Sequence, residues 1–130
     1  MGFFEKFKSS REIAKEEIIE IPWHVLGRIE QLDEIMEESK SRPVAIFKHS
    51  TRCGISRGVL KMFEKNYTFS DNQVKLYFLD LIQNRDISNE IAARFKVQHE
   101  SPQVIVIKNV VVVHHDSHHS IDAADLERFL

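Results

Sequence analysis

"VAIFKHSTRCGISRGVLKMF" (residues 44–63) opens on an apolar tetrapeptide, crosses a polar segment and closes on apolar residues at helical spacing. Val44 to Phe47 form a short continuous apolar run, the pattern of a strand buried on both faces. Ile55, Val59, Met62 and Phe63 recur at intervals that share one helical face. Strand, turn and helix therefore follow one another directly. The only cysteine of the chain, Cys53, stands in the turn, just before a helix expected to begin near Gly54.

Outward from this unit the same alternation continues. Upstream, "WHVL" (23–26) suits a short strand, and "RIEQLDEIMEESK" (28–40) repeats Ile29, Leu32, Ile35 and Met36 as an amphipathic helix stopped by Pro43. Further back, "SSREIAKEEIIEI" (9–21) reads as a polar helix with Ser10 as N-cap, ended by Pro22. Downstream, "QVKLYFLDL" (73–81) is strand-like, and "ISNEIAARFKV" (87–97) aligns Ile87, Ile91 and Phe95 on a helix. Two β-branched runs, "QVIVI" and "VVVV", are separated by Lys108-Asn109, which predicts a tight hairpin without the usual glycine. "SIDAADLERFL" (120–130) predicts a closing helix with Ser120 as N-cap and Leu126, Phe129 and Leu130 inward.

The order is an extra helix followed by β-α-β-α-β-α-β-β-α, so crossover helices link parallel strands and the hairpin adds an antiparallel edge. It is similar to the order of a thioredoxin-like fold. The expected architecture is α/β, a three-layer sandwich about a central mixed sheet, with residues 1–21 as a helical extension and 22–130 as the domain. The length of 130 residues suits one core. A net charge of −2 offers no general attraction to nucleic acid or anionic lipid. No apolar run reaches the roughly 20 residues of a membrane span, and no signal-peptide pattern appears, so the expected compartment is the reducing cytoplasm.

A lone cysteine cannot close an internal disulfide, which leaves it as buried filler, ligand or nucleophile. Placement at a helix start favours the nucleophile, because unpaired backbone N–H groups and the helix dipole stabilise a thiolate there. Between Glu38 and Glu64 the chain has no acid but six bases, Lys40, Arg42, Lys48, Arg52, Arg57 and Lys61, which predicts an electropositive field around the thiol. Ser56, three residues on, is positioned to bring a hydroxyl to the sulfur, and His49 to assist it electrostatically.

"HSTRCGIS", "ESPQVIVIK" and "SHHSI" together resemble the monothiol bacilliredoxin family, the YtxJ type of thioredoxin-like protein, over about residues 23 to 130. The resemblance implies an oxidoreductase that removes a low-molecular-weight thiol, bacillithiol, from cytoplasmic protein mixed disulfides. It implies Cys53 as nucleophile, Ser56 where dithiol relatives keep a resolving cysteine, and Pro102 as a cis proline facing the thiol. Around these, Thr51, Arg52, Gly54, Ser101, His118 and Ser120 are the expected substrate-binding positions. The small thiol is then a co-substrate, no cofactor is needed, and the partners are S-thiolated proteins and a thiol-reducing system. Gly54 departs from the family, where proline is more usual. It also makes "CGIS" similar to the "CGFS" of monothiol glutaredoxins, which carry iron–sulfur clusters. However, the glycine-rich turn that holds glutathione in those proteins is replaced here by "HHDSHHSID". A non-catalytic binding module is the third alternative.

"HHDSHH" (114–119) is dense in potential metal ligands, yet His114 and His115 on one strand point to opposite faces. The favoured expectation is a polar strand end without metal; the alternatives are a metal site, or recognition of a small-thiol carboxylate by His118, His119 or the Ser120 amide. His24 and His99 are expected as partly exposed structural residues, and Trp23 as core.

Overall fold

The computed structural model describes residues 21–130, so apart from Ile21 the helical extension expected over residues 1–21 lies outside the described residues. Its elements are β1 (Trp23–Val25), α1 (Gln31–Glu38), β2 (Val44–His49), α2 (Gly54–Asn66), β3 (Lys75–Asp80), α3 (Arg85–Phe95), β4 (Gln103–Lys108) and β5 (Val111–Ser117). A one-turn 3₁₀ helix (His118–Ser120) and a longer one (Ala123–Phe129) complete the chain. The strands form one sheet in the order β1-β3-β2-β4-β5. β1 and β2 both run parallel to β3, whereas β4 is antiparallel to β2 and β5 to β4. The direction of the sheet therefore changes at β4, one strand earlier than the hairpin alone suggests.

β2 is the spine, with all six residues buried. Its alternating side chains feed two cores. Val44 and Ile46 join Leu32 and Ile35 of α1 and Ile87 and Ile91 of α3 on one face. Ala45 and Phe47 join Val59 and Phe63 of α2 and Leu126 of the terminal helix on the other. This is the expected three-layer α/β sandwich, and burial of each large apolar side chain contributes about 1.5–3 kcal/mol.

Several local expectations are corrected. α1 begins at Gln31, leaving Ile29 exposed. Gln31 ties the preceding turn instead, accepting from the N–H groups of Gly27 and Arg28 at 2.8 and 2.9 Å. On α2 the buried stripe is Ser56, Val59 and Phe63, while Ile55 and Met62 face solvent. The hairpin turns at Asn109-Val110, both left-handed at φ 54° and 70°. A β-branched residue is strained there, and Ser39 holds the turn by accepting from Asn109 N–H at its carbonyl (2.7 Å) and from Val110 N–H at Oγ (2.9 Å). The last helix is 3₁₀ and is capped by Asp122, which accepts from Ala124 N–H at 3.0 Å, rather than by Ser120. Leu130 is exposed. No helix among the described residues is long and apolar enough to cross a membrane.

Candidate active site

Because β2 and β4 are antiparallel partners with Lys48 opposite Gln103, the chain leaves β2 and enters β4 at the same edge of the sheet. The 50–53 turn and the 98–102 loop thus emerge side by side. Cys53 is the N-cap residue of α2, with extended backbone (φ −114°, ψ 120°) and a half-buried side chain. Its N–H donates to the Ser50 carbonyl (3.2 Å) and its carbonyl accepts from Arg57 N–H (3.2 Å). Among the described residues no group hydrogen-bonds the sulfur, the amides of the first turn of α2 included. Arg57 folds back across this turn and donates Nη1–H to the Thr51 carbonyl at 3.2 Å. Thr51, Arg52 and Gly54 are exposed around it.

Ser56 does not reach for the sulfur. Its hydroxyl is buried, accepts from Ser50 N–H at 3.1 Å and shares a 2.8 Å hydrogen bond with Nδ1 of His49. The reason is rotational: the apolar stripe of α2 turns Ser56 onto the sheet. His49 is accordingly a brace between β2 and α2, its ring tilted on Phe78 at 5.5 Å. Burial holds its pKa below the ordinary imidazole value, with Asp80 opposing.

The second loop carries a cis Ser101-Pro102 peptide. Pro102 is buried, and its carbonyl accepts from His118 N–H at 3.0 Å, with His118 in the left-handed region (φ 55°). His118 and Ser120, both exposed, belong to the one-turn 3₁₀ helix that packs against α2. Ser101 Oγ is buried with no hydrogen-bond partner among the described residues. The expected positions thus fall into two neighbouring groups: Thr51, Arg52, Cys53 and Gly54 on the turn, Ser101, Pro102, His118 and Ser120 on the facing loops.

The electropositive field is smaller than expected. Lys40 and Arg42 line a cavity of about 460 Å³ with Lys108 at the far end of β2, about 20 Å away at the rise of a six-residue strand. Lys61 is exposed along α2. Lys48 is fully buried on the opposite face from α2, donating to Nδ1 of His99 (2.7 Å) and to Oε1 of Gln103 (3.0 Å). Arg52 and Arg57 remain as the cations beside the thiol. Burial pulls the Lys48 pKa down to about 8, with Glu100 opposing. Gln103 in turn donates Nε2–H to the Gln98 carbonyl at 2.9 Å, closing the 98–103 loop on itself. This Lys48–His99–Gln103 cluster was not expected. A lysine continuing an apolar run into a strand buried on both faces is the signal that points to it.

Trp23, expected as core, is half-buried at its margin, packing on Phe47 and Phe63 with its Nε1–H donating to Glu64 at 2.7 Å. His24 pairs with Asp71 at 2.8 Å, and His99 is exposed at its solvent side.

Among solved structures, the chain is similar to a thioredoxin-fold protein proposed to be an oxidoreductase. That match has 32% identity and a TM-score of 0.70, over 82% of this chain and 92% of the other. It also superposes on a Malassezia sympodialis thioredoxin (20% identity, TM-score 0.60, 85% and 91% covered) and on the thioredoxin of Trypanosoma brucei brucei (19%, 0.60, 85% and 93%), which speak for the fold alone. The family model of the monothiol bacilliredoxin BrxC matches residues 24–126, a span holding the Cys53 turn, the cis-proline loop and the His118 turn. With that match and a lone half-buried cysteine at a helix start on a thioredoxin scaffold, the chain belongs to the monothiol bacilliredoxin family and its chemistry is thiol redox.

Proposed function

We propose that the chain removes a low-molecular-weight thiol of the bacillithiol kind from protein mixed disulfides. The observation that supports this most directly is a half-buried Cys53 sulfur at a helix N-cap, unbonded, in a chain with no second cysteine. Cys53 thiolate attacks the small-thiol sulfur of the mixed disulfide; the Cys53–small-thiol bond forms, the original disulfide breaks, and the client sulfur leaves as thiolate and takes a proton. A second small thiol then attacks the adduct, leaving a small-molecule disulfide and regenerated Cys53. No net electrons enter until that disulfide is reduced elsewhere. Ser56 keeps the resolving position silent. The backbone before Pro102 offers strand-type pairing to an extended thiol ligand. Thr51, Arg52, Gly54, Ser101, His118 and Ser120 line the approach, with exposed Arg52 as a partner for ligand carboxylates. The clients are S-thiolated proteins in a reducing compartment, and the small thiol is co-substrate without a resident cofactor.

The test is turnover of a bacillithiol-capped protein, followed by intact mass. The expected result is release of free client thiol with a one-thiol adduct on the wild-type chain and none on Cys53→Ser. Unchanged deprotection by Cys53→Ser, or a brown chain with stoichiometric iron in place of turnover, defeats the proposal.

A further inference from the structure

We propose that His114, Asp116 and Asp125 form a binding site for a divalent d-block cation, with zinc as its reference ion. The site is built by an irregularity of the sheet. Along the β4–β5 ladder Val106 stands opposite His114 while Ile107 stands opposite Val112, so Val113 is an inserted residue. Such a bulge re-aims the side chains that follow it. Val112 packs with the α1/α3 core, and strict alternation would put His114 on that face as well. The bulge instead delivers His114 and Asp116 to the face of Val104 and Val106, where the terminal 3₁₀ helix presents Asp125.

One donor atom from each of the three residues lies within 4.8 Å of the others. His114 Nε2 and Asp116 Oδ2 are 3.1 Å apart, close to the edge of a tetrahedron with metal–ligand bonds of 2.0–2.1 Å, about 3.3–3.4 Å. The imidazole is oriented by Phe129, whose ring centroid is 5.4 Å away. One imidazole with two carboxylates suits zinc, nickel or copper better than calcium or magnesium, which take all-oxygen shells. Three protein donors also leave a position for water.

Arg128 tunes the site against the metal. Its Nη2–H donates to Nδ1 of His114 at 3.3 Å, which places the imidazole proton on Nε2. A cation at Nε2 moves that proton to Nδ1 and turns exposed Arg128 out to solvent. The other histidines of the cluster take no part: His115, His118 and His119 are exposed and outside the donor triangle.

The experiment is calorimetric titration of zinc chloride into the full chain carrying Cys53→Ser, which removes the thiol as a competing ligand. The expected result is one zinc per chain. His114→Gln and Asp125→Asn should each weaken binding at least about tenfold, and Arg128→Gln should tighten it severalfold. His115→Gln and His119→Gln should leave it unchanged. Zinc should also raise the melting temperature by mass action, and Asp125→Asn should abolish that rise. Absence of binding at sub-millimolar zinc overturns the proposal, as does binding that survives Asp125→Asn but is lost with His115→Gln or His119→Gln. Should His114→Gln fail to fold, Asp125→Asn carries the same decision.

Discussion

On one face of the sheet the side chain of Lys48 ends against His99 and Gln103; on the other, that of its neighbour His49 ends against Ser56. His49, Ser56, Lys48 and Gln103 are buried and His99 is exposed, and each cluster braces one of the loops that flank Cys53. On the His49 face every group is neutral and partnered, from Ser50 N–H through the Ser56 hydroxyl to the imidazole. On the Lys48 face a cation meets only neutral acceptors. A satisfied neutral chain adds stability, whereas a buried ion without a bonded counter-ion subtracts it. The thiol therefore sits between a helix start that the fold stabilises and a cis-proline loop that it holds at a cost.

The largest effect that would break this contrast comes from Ser56→Ala. It leaves the buried Ser50 N–H and His49 Nδ1 unpaired and should remove about 2–3 kcal/mol in urea denaturation near neutral pH. Lys48→Met should change stability by less than about 1 kcal/mol, because the charge leaves with its desolvation penalty. Equal losses in the two variants would erase the distinction.

Next in size is an alkaline gain. The native Lys48 pKa, about 8, lies below the unfolded 10.5, so between these values the unfolded chain binds more protons and stability rises with pH. The rise should be on the order of 2 kcal/mol between about pH 8 and 10, and be absent in Lys48→Met. Above about pH 10 the trend turns down. Burial holds the phenols of Tyr67 and Tyr77 protonated in the native state, whereas the unfolded chain releases them at their ordinary value. A flat wild-type curve from pH 8 to 10 would place the Lys48 ammonium in a better-solvated setting.

A shallower loss is expected on the acid side. His49 and His99 both have native pKa values lowered by burial, so as pH falls below about 6.5 the unfolded chain protonates first and stability drops. Denaturation midpoints should fall in this range, and fall less in His49→Gln. Smallest is Gly54→Ala. The added Cβ meets Arg57 Nη2 at an ordinary 3.7 Å, so restricting the unfolded chain should gain about 0.4–1 kcal/mol. A loss would mean that the turn at Cys53 depends on glycine.

The fold was legible because period and length agree element by element: β2, α2 and α3 each show the apolar period of their type and are bounded by polar turns. What sequence could not carry is rotation and strain. Ile55 and Ser56 are adjacent, and hydropathy assigns the inward place to isoleucine; the packing of Val59 and Phe63 gives it to serine. Val110 in a left-handed turn defeats propensity, because the compensation lies far away on Ser39. The candidate site was legible as residue positions but not as contacts. The clustering of bases along residues 40–61 looked like one field, yet a fully extended β2 sends Lys40 and Arg42 to the opposite pole and alternation hides Lys48 on the other face.

Trp23 is the single tryptophan of the chain, wedged against Phe63 and bonded to Glu64, both on the helix that begins at Cys53. The molecule thus carries an intrinsic optical reporter on the element that presents its sulfur. Stopped-flow emission, with no added dye, can record whether capping and uncapping of the thiol leave that helix seated or lever it off the sheet.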